Sequence, residues 1–391
     1  MKRKMKKKKD NILFLEYFPF LGGGQRITLK IAESLKEEFN VRFLCFNDGL
    51  VLNELKKMGI PYDVMKAPGN AKLRYFYRSI PFYFRFKKYL MENDVKLIYC
   101  NSYFTAKLAT FVSKKTKIPV IWHKHVIIEN KKDSYLAGQI RKISGYVDKI
   151  ICVSQAVKRS MQRIGVDEKK LCVVYNGINV PLKKETKNTI RKKYGLNDFF
   201  VAGSIGFLRK NKGFKLLIKA ATIVKRKKSS IKFFIAGKSD GDFEYERELK
   251  SLVEENDLKD SVIFGGYIDW FECMDAFDVF VLPSYAEPFG LVTVEAGACG
   301  IPVVAFATGG TPEIIKDGVN GFLAKEVSAE KLAEKIIFAY NKRKRLKAMG
   351  QKAKKIVKEK FSEKKMQKKV LNIIRKVINE KEKYLGGNNY K

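Results

Sequence analysis

The 391-residue sequence lacks any apolar run that approaches the roughly 18 residues needed to span a bilayer. Seven of its first nine residues are basic, and no apolar stretch typical of a signal peptide follows them. Cysteine is scarce: there are six, mostly in or beside apolar, strand-like segments, and none forms a C-x-x-C pair. We therefore expect a cytoplasmic protein with reduced core cysteines that bind no metal. The six are Cys45, Cys100, Cys152, Cys172, Cys273 and Cys299.

Acidic residues are few beside basic ones. The chain has 41 Asp and Glu against 79 Lys and Arg, which gives a net charge of +38. A field of this sign attracts nucleic acid, anionic membranes and nucleotide sugars. A compositional excess of lysine is the alternative, because many lysines, such as those from Lys342 to Lys369, occupy exposed positions of a helical pattern. No nucleic-acid motif accompanies the charge, so we expect no nucleic-acid partner, and a polyanion-binding protein is the rival interpretation.

The chain is longer than one hydrophobic core usually serves, which predicts two domains of roughly 180 residues. In the first half, short apolar strands alternate with helical patterns, and this indicates a parallel sheet covered on both faces in a Rossmann-like α/β domain. The strands predicted there are Asn11–Tyr17, Val41–Phe46, Pro61–Met65, Val95–Cys100, Pro119–Trp122, Lys149–Val153 and Leu171–Tyr175. The polar stretch 179–198 predicts the interdomain connection.

The second half repeats the alternation of strands and helices. Its predicted strands are Phe200–Ile205, Phe233–Gly237, Val262–Gly266, Phe277–Leu282 and Pro302–Phe306. Helical patterns at Ala329–Tyr340 and Phe361–Lys383 finish the chain, and the last has one apolar face. That face consists of Met366, Val370, Ile373, Ile374 and Val377. We divide the chain into a first domain (1–180), a linker (181–198), a second domain (199–360) and a C-terminal helix (361–391).

The stretch 282–323 contains the strongest signal for a binding site. After Pro283 a loop carries Glu287, and a helix that is predicted to begin with Phe289–Gly297 carries Glu295. The backbone amides of Phe289, Gly290 and Leu291 lie at the positive end of that helix, where they suit a phosphate; Gly309 and Gly310 offer further amides. Glu295 is placed to accept from ribose hydroxyls, and Glu287 can reach a second polyol.

The spacing of these two glutamates, within PSYAEPFGLVTVEAGACGIPVVA and followed by GGTPEII and GVNGFL, resembles the signature of the retaining GT-B glycosyltransferases of family 4, also called group 1. The resemblance implies two Rossmann-like domains whose parallel sheets face each other across a cleft, with the C-terminal helix crossing back to the first domain. It also implies transfer of a hexose-type sugar from a UDP- or GDP-linked donor to a glycan or lipid-linked acceptor, in cell-envelope polysaccharide or glycolipid synthesis. A sugar-nucleotide epimerase or a phosphorylase of the same architecture is the enzymatic alternative.

A glycine-rich turn, Gly22–Gly24, follows the first predicted strand and precedes a helical pattern. Because it is not G-x-G-x-x-G, it does not predict a dinucleotide site. It resembles the first glycine loop of the family, which implies that Gly23 and Gly24 lie over the donor phosphates and the acceptor. The alternative is that the three glycines only make a tight turn.

The two histidines of the chain, His123 and His125, lie at the end of a predicted strand in IPVIWHKHV. Two residues apart on an extended segment, they project to the same face. No third ligand accompanies them, so a zinc site is disfavoured. The resemblance implies that one histidine faces the sugar, and the spacing from Pro119 favours His125. Val126 stands where the family often has an acidic residue.

A basic turn opens the second domain after its first predicted strand, with Gly206, Arg209 and Lys212. Cations beside a glycine turn suit a diphosphate when no metal neutralises it. In the family an arginine commonly follows the first glycine; here that position is Phe207, so Arg209 is the candidate replacement, while Lys212 matches the family pattern. The alternative is a solvated basic loop.

Two further segments bear on metals and membranes. The triplet Asp240–Asp242 could hold a divalent cation, but its place in a variable loop favours a surface turn, so we expect neither a metal nor a cofactor. The run Leu73–Leu90 alternates aromatic residues with five cations, namely Arg74, Arg78, Arg85, Lys87 and Lys88. This composition suits an anionic lipid interface on the inner face of the cell membrane, although a core helix interrupted at Pro81 explains the aromatics equally well.

Overall fold

The structure is a computed structural model that describes residues 9–66, 80–129, 134–179, 189–239 and 241–387, with side chains as far as residue 384. The chain divides into two compact units. Unit 1 comprises residues 1–177 and 364–391, and unit 2 comprises residues 178–363.

Unit 1 contains a sheet of seven strands in the order β3-β2-β1-β4-β5-β6-β7, with every neighbouring pair parallel. The strands are β1 (Asn11–Glu16), β2 (Asn40–Cys45), β3 (Tyr62–Val64), β4 (Val95–Cys100), β5 (Val120–Lys124), β6 (Lys149–Cys152) and β7 (Leu171–Val173). The strand order reverses between β1 and β4. In open α/β sheets, ligands bind outside the carboxyl ends of the strands at such a reversal.

Helices connect these strands, as parallel pairing requires. They are α1 (Gly23–Leu35), α2 (Leu50–Lys57), α3 (Ile80–Glu92), α4 (Tyr103–Thr116), α5 (Tyr135–Ser144) and α6 (Gln155–Arg163). The strands read as nearly continuous apolar runs because both of their faces are covered; Phe14, Ile98 and Ile121, for example, are fully buried. Helix α1 begins two residues before the helical pattern predicted from Gln25, with Gly22 as its N-cap.

The aromatic run Leu73–Leu90 was interpreted either as a lipid interface or as a core helix, and helix α3 has features of both. Pro81 is the second described residue of the helix, a position where a first turn needs no amide hydrogen. The prediction that it interrupts a helix within Leu73–Leu90 also involves residues that lie outside the described ranges. Phe82 and Phe86 are buried in the core, whereas Ile80 and Phe84 are 70% and 60% exposed. The segment 73–79, including Arg74 and Arg78, lies outside the described residues.

The last helix, α15 (Glu363–Gly387), belongs from residue 364 onward to unit 1. It buries an apolar face, and Gln367 donates a hydrogen bond to the carbonyl oxygen of Lys30 over 3.3 Å. Arg375 forms an ion pair with Glu38, and this hydrogen-bonded contact lowers the pKa of the Glu38 carboxyl. The buried residues are Met366, Val370, Ile374, Val377 and Ile378, so Ile378 takes the place that the sequence pattern gave to the partly exposed Ile373.

Unit 2 contains a six-stranded sheet in the order β10-β9-β8-β11-β12-β13, again entirely parallel. Its strands are β8 (Phe200–Ile205), β9 (Ile231–Ala236), β10 (Val262–Gly266), β11 (Val279–Leu282), β12 (Val303–Phe306) and β13 (Gly321–Ala324). Its helices are α7 (Thr189–Lys193), α8 (Phe214–Lys227), α9 (Phe243–Glu255), α10 (Trp270–Met274), α11 (Leu291–Cys299), α12 (Thr311–Ile314), α13 (Ala329–Asn341) and α14 (Arg343–Lys360). The strand order reverses between β8 and β11, the two strands whose following loops carry the candidate site residues of this unit.

Candidate active site

Helix α11 begins at Leu291, two residues later than the predicted start at Phe289. The reason is Gly290, whose backbone has φ 89° and ψ 61°, a left-handed conformation that ends the loop and serves as the N-cap. Phe289 is therefore a core residue before the helix, 3% exposed, with its ring centroid 5.7 Å from that of Phe361. Because Thr293 donates its amide to Gly290, the amides of Leu291 and Val292 are those at the positive end of the helix.

The second glycine turn holds the Glu287 loop in place. The Gly310 amide donates to the carbonyl oxygen of Glu287 over 2.8 Å. A Cβ atom on Gly309 would lie 2.2 Å from that same oxygen, and one on Gly310 would lie 2.5 Å from the oxygen of Pro288. Both glycines are thus required by the close approach of two backbones, and the contact fixes Glu287 at the carboxyl end of β11.

Lys212 and Glu287 form an ion pair at the reversal of strand order. The Lys212 Nζ atom lies 3.0 Å from Oε2 and 3.2 Å from Oε1 of Glu287. The side chains are 30% and 14% exposed, so the pair is mostly shielded from water. Gly213 brings the lysine there: it adopts φ 72°, and a Cβ at this position would lie 1.9 Å from the oxygen of Pro283 at the end of β11.

Arg209 lies in the same loop and contacts Phe207. Its guanidinium carbon is 5.4 Å from the centroid of the Phe207 ring, a cation–π contact. Phe207, which directly follows Gly206, is therefore in contact with the arginine two positions later. Gly206 is closely approached by the next strand end, since a Cβ on Gly237 would lie 1.9 Å from the Gly206 oxygen.

Glu295 is carried by the second turn of α11 and is 8% exposed. Asp242 of the acidic triplet serves as the N-cap of α9, where its carboxylate accepts the Tyr245 amide over 3.1 Å; Asp240 lies outside the described residues. Across the described ranges, no group of three or more His, Cys, Asp or Glu residues is arranged to hold a metal ion.

In unit 1, the structure brings His125 against the first turn of α1. A Cβ on Gly24 would lie 3.4 Å from the His125 ring, so the glycine allows the helix and the imidazole to touch. His123 is fully buried behind it: their ring centroids are 4.2 Å apart, and Nδ1 of His123 lies 2.8 Å from the Tyr99 hydroxyl. His125 is partly exposed, so of the two histidines only His125 reaches the surface of the unit.

Both imidazoles are neutral at neutral pH. Burial, and secondarily the nearby Lys124 cation, lower the pKa of His125 to about 3. Burial and the neighbouring His125 hold the pKa of His123 well below its usual value. Burial also lowers the pKa of Lys124 to about 8. The Nε2 atom of His125 is buried and has no hydrogen-bond partner within the described ranges.

Sequence reasoning missed two polar residues at the same end of this sheet, Glu16 and Asn101. Glu16 ends β1 and is 2% exposed; Asn101 follows β4 and is 8% exposed. Burial raises the pKa of the Glu16 carboxyl, although four hydrogen bonds oppose that shift. The sequence does contain a signal for them: each polar side chain comes directly at or after the end of an apolar strand. The carboxyl ends of parallel strands lie at the same edge of the sheet, which is where ligands bind.

Comparison with known proteins identifies the family. The model described as "Glycosyltransferase Family 4" matches residues 21–181, and the one described as "Glycosyl transferases group 1" matches residues 186–356. The chain belongs to these group 1 glycosyltransferases. An uncharacterised glycosyltransferase of Methanocaldococcus jannaschii is 28% identical over 376 residues, which cover 93% of this chain and 96% of that protein.

Two better-described proteins are also similar to this glycosyltransferase. A capsular polysaccharide biosynthesis glycosyltransferase of Staphylococcus aureus is 27% identical over 226 residues, 54% of this chain and 57% of that protein. Anabaena HepE, crystallised with UDP and glucose, superposes with a TM-score of 0.84 at 24% identity, covering 94% of this chain and all of that one. Its crystal structure with UDP-glucose superposes with a TM-score of 0.82. The fold, two Rossmann-like parallel-sheet domains, is GT-B.

Within the part of the chain that the structure describes, no helix is both long enough and apolar enough to cross a membrane.

Proposed function

We propose that this glycosyltransferase moves a hexose-type sugar from a UDP- or GDP-linked donor to a glycan or lipid-linked acceptor, with retention of anomeric configuration. The observation that carries the proposal is the shielded Lys212–Glu287 ion pair at the carboxyl end of β11, beside the amino end of α11. Positive groups and a carboxylate held together there suit a ligand with a phosphate at one end and a polyol at the other.

In this proposal the leaving diphosphate is bound by unit 2. Lys212, Arg209 and the Leu291 amide supply positive charge as the bond between sugar and phosphate breaks, which is the place where stabilisation lowers the barrier most. Glu287 accepts hydrogen bonds from the hexose hydroxyls, and Glu295 accepts them from the ribose. The acceptor hydroxyl attacks from the face that the diphosphate leaves and gives its proton to the departing diphosphate oxygen, so no protein nucleophile is required.

The donor test is a thermal-shift series with UDP, GDP and ADP, followed by a panel of the matching sugar nucleotides. HepE was crystallised with UDP and with UDP-glucose, which supports testing UDP-linked sugars first. Anomeric proton couplings of the product report retention or inversion directly. Stabilisation by none of the nucleotides contradicts the proposal, and a donor that is epimerised without any gain in acceptor mass supports an epimerase instead.

We propose that the reaction is independent of metal ions, because in this proposal Lys212 and Arg209 supply the positive charge that a metal would otherwise bring to the diphosphate. We expect full activity in EDTA, with no gain on adding magnesium or manganese. Complete loss in EDTA, restored by either metal, would contradict the assignment of Lys212 and Arg209 to the leaving group. Recovery must be measured after removal of excess chelator, so that the added ion is free.

We propose further that the acceptor is lipid-linked and that unit 1 binds an anionic membrane surface in the cytoplasm. Three observations support this: the +38 net charge, the exposed Ile80 and Phe84 on α3, and an open, mainly apolar groove of about 630 Å³ beside α2. The groove is lined by Pro19, Phe20, Asp48, Gly49, Leu50, Leu52, Asn53, Lys56 and Tyr62. The relative in Staphylococcus aureus acts in capsular polysaccharide biosynthesis, which supports an acceptor of the cell envelope.

A further inference from the structure

Glu16, Asn101 and Gln25 form a buried polar cluster, here called the Glu16 cluster, at the carboxyl end of the first sheet. Their exposures are 2%, 8% and 8%. Glu16 ends β1 and Asn101 follows β4, the neighbouring strands between which the strand order reverses, and Gln25 lies in the first turn of α1. The Gln25 side chain hydrogen-bonds to the Glu16 carboxylate.

The hydrogen bonds of this cluster fix the orientation of the Asn101 amide. Oε1 of Glu16 accepts the amides of Tyr17 and Phe18, each over 2.9 Å, and Oε2 accepts from Nδ2 of Asn101 over 2.5 Å. Both oxygens of the Glu16 carboxyl group act as acceptors, since three N–H groups donate to them. The Asn101 nitrogen therefore faces Glu16, and its oxygen points away from it.

In this orientation the Asn101 oxygen receives no hydrogen bond from the described part of the chain. Oδ1 is buried, and no donor within the described ranges reaches it. A buried carbonyl oxygen without a donor carries a free-energy cost, because it has lost its hydrogen bonds to water and gained none in the fold. A ligand hydroxyl that donates to Oδ1 would remove this cost. Because the atom is buried, the groups that cover it must move aside to admit the ligand, while the amide itself keeps the orientation that Glu16 gives it.

The strand register places this oxygen on the same face of the sheet as His125. Phe14 of β1 pairs with Tyr99 of β4, so Glu16 and Asn101, each two residues further on, share one face. Tyr99 contacts His123, and His125 lies two residues beyond it on the same side. The Nε2 atom of His125 is also buried without a partner. Two unsatisfied polar atoms on adjacent strand ends suit a polyol, which both donates and accepts hydrogen bonds.

We propose that Oδ1 of Asn101 accepts a hydrogen bond from a hydroxyl group of the acceptor sugar, and that Glu16 is the positioning residue that orients it. This inference rests on the proposed function, because it takes the acceptor to be a sugar whose hydroxyl groups are bound by unit 1. Asn101 then selects for a hydroxyl donor at one ring position, while Glu16 also holds the start of the loop that leads to Gly22.

The test uses binding of methyl glycosides of glucose, galactose, mannose and N-acetylglucosamine, measured by saturation-transfer NMR on the full chain in the presence of UDP. We expect wild type to bind at least one of them and Asn101→Leu to bind it roughly tenfold more weakly, the size expected for one lost hydrogen bond to a buried acceptor. Asn101→Asp should also weaken binding, because it places a second carboxylate beside Glu16.

The decisive variant is the double substitution Glu16→Gln with Asn101→Asp. The introduced glutamine keeps an oxygen for the Tyr17 and Phe18 amides and donates from its nitrogen to the introduced aspartate, whose other oxygen still accepts from the ligand. We expect affinity within about threefold of wild type, and rescue by a second substitution excludes simple misfolding. Asn40→Leu, at an exposed asparagine at the opposite end of the same sheet, is the matched control and should bind like wild type.

Three outcomes overturn the inference: wild type binds none of the glycosides, Asn101→Leu binds them as well as wild type does, or the double variant is no tighter than Asn101→Asp. Thermal stabilisation by UDP or GDP, measured on the same samples, keeps the two proposals apart. If wild type responds to a nucleotide but the glycoside results fail, the Asn101 assignment is wrong and the donor site stands. If wild type responds to no nucleotide, the proposed function is contradicted.

Discussion

The Lys212–Glu287 ion pair has two charges of opposite sign where the proposed donor has phosphate and polyol. With side chains 30% and 14% exposed, each group depends on the other for solvation. Donor binding would exchange this contact for contacts of the same kind, lysine to phosphate and glutamate to hydroxyl. In the proposed function the pair orients both side chains before the donor binds, which would lower the reorganisation needed on binding.

We expect Lys212→Ala and Glu287→Gln each to reduce kcat by at least about 10²-fold, because each removes a group that interacts with charge developing at the bond that breaks. The measurement is initial rate at saturating donor, with thermal unfolding as the check on folding. Lys215→Ala is the matched control: it breaks an exposed pair with Glu248 one turn away, and its kcat should match wild type. Near-normal kcat in either site variant, with wild-type stability, would show that the site is misplaced.

The histidines give a prediction about pH. An unfolded chain protonates His125 below about pH 6.5, whereas the folded chain does so only near pH 3. The unfolded state therefore binds more protons as the pH falls below about 6.5, so the free energy of unfolding decreases there, by up to about 1.4 kcal/mol per pH unit. His125→Gln removes this contribution.

The measurement is urea unfolding of wild type and His125→Gln from about pH 7.5 to about pH 5.5, since the histidine charge normally changes in this range. The free energy of unfolding should fall more steeply with decreasing pH in wild type than in the variant. Parallel profiles would mean that His125 has an ordinary pKa in the folded protein. The pH profile of kcat in wild type should likewise show no limb near pH 6.5 that depends on His125.

At the scale of single elements, α15 is the segment whose attachment can be tested most directly. Ile374 is fully buried, whereas its neighbour Ile373 is partly exposed. Ile374→Ala should lower the free energy of unfolding by about 2–5 kcal/mol, through lost apolar burial and the cavity that remains. Ile373→Ala, the matched control with the same chemistry, should cost clearly less. Urea unfolding measures both; equal losses would mean that α15 does not pack through the face containing Ile374.

Most strands and helices could be predicted from the sequence, because strands buried on both faces appear as continuous apolar runs. Strands β4, β8 and β10 have the predicted bounds. Strand β13, four residues beginning at Gly321, was not predicted. So short a run shows no clear alternation of apolar and polar residues, and a glycine at its start is more typical of a turn. The start of α11 moved from Phe289 to Leu291 because a left-handed Gly290 is a property of backbone angles, which composition does not specify.

Site residues could be predicted where they belong to a motif of fixed spacing. Contacts between residues that are distant in the chain could not be predicted. Lys212 and Glu287 lie 75 residues apart, and only the parallel order of β8 and β11 brings them within hydrogen-bond distance. Glu16 and Asn101 are 85 residues apart and read in sequence as ordinary strand ends. The contact between Arg209 and Phe207 could not be predicted either, because two residues that lie two positions apart in a loop have no fixed relative orientation.

At the scale of the whole molecule, the net charge of +38 and the exposed apolar residues of α3 support the proposal of membrane binding. Ile80 and Phe84 offer apolar burial, and Arg85 and Lys88 are exposed cations on the same helix. Each cation near an anionic surface contributes about 1 kcal/mol, and salt weakens this contribution, since its range is about 8 Å at physiological ionic strength. Binding without a membrane-spanning helix is therefore feasible.

We expect the protein to co-sediment with anionic vesicles, and much less with neutral ones or at high salt. Substituting Ile80, Phe84, Arg85 and Lys88 by Ser should release it, while leaving the buried Phe82 and Phe86 in place preserves the core. Phe243→Ser with Arg247→Ser is the matched control, because it removes an exposed aromatic residue and an exposed cation from α9 of unit 2. Nucleotide-induced thermal stabilisation should be the same in all three proteins. Equal sedimentation of wild type and the α3 variant would assign the charge to composition and α3 to the core alone.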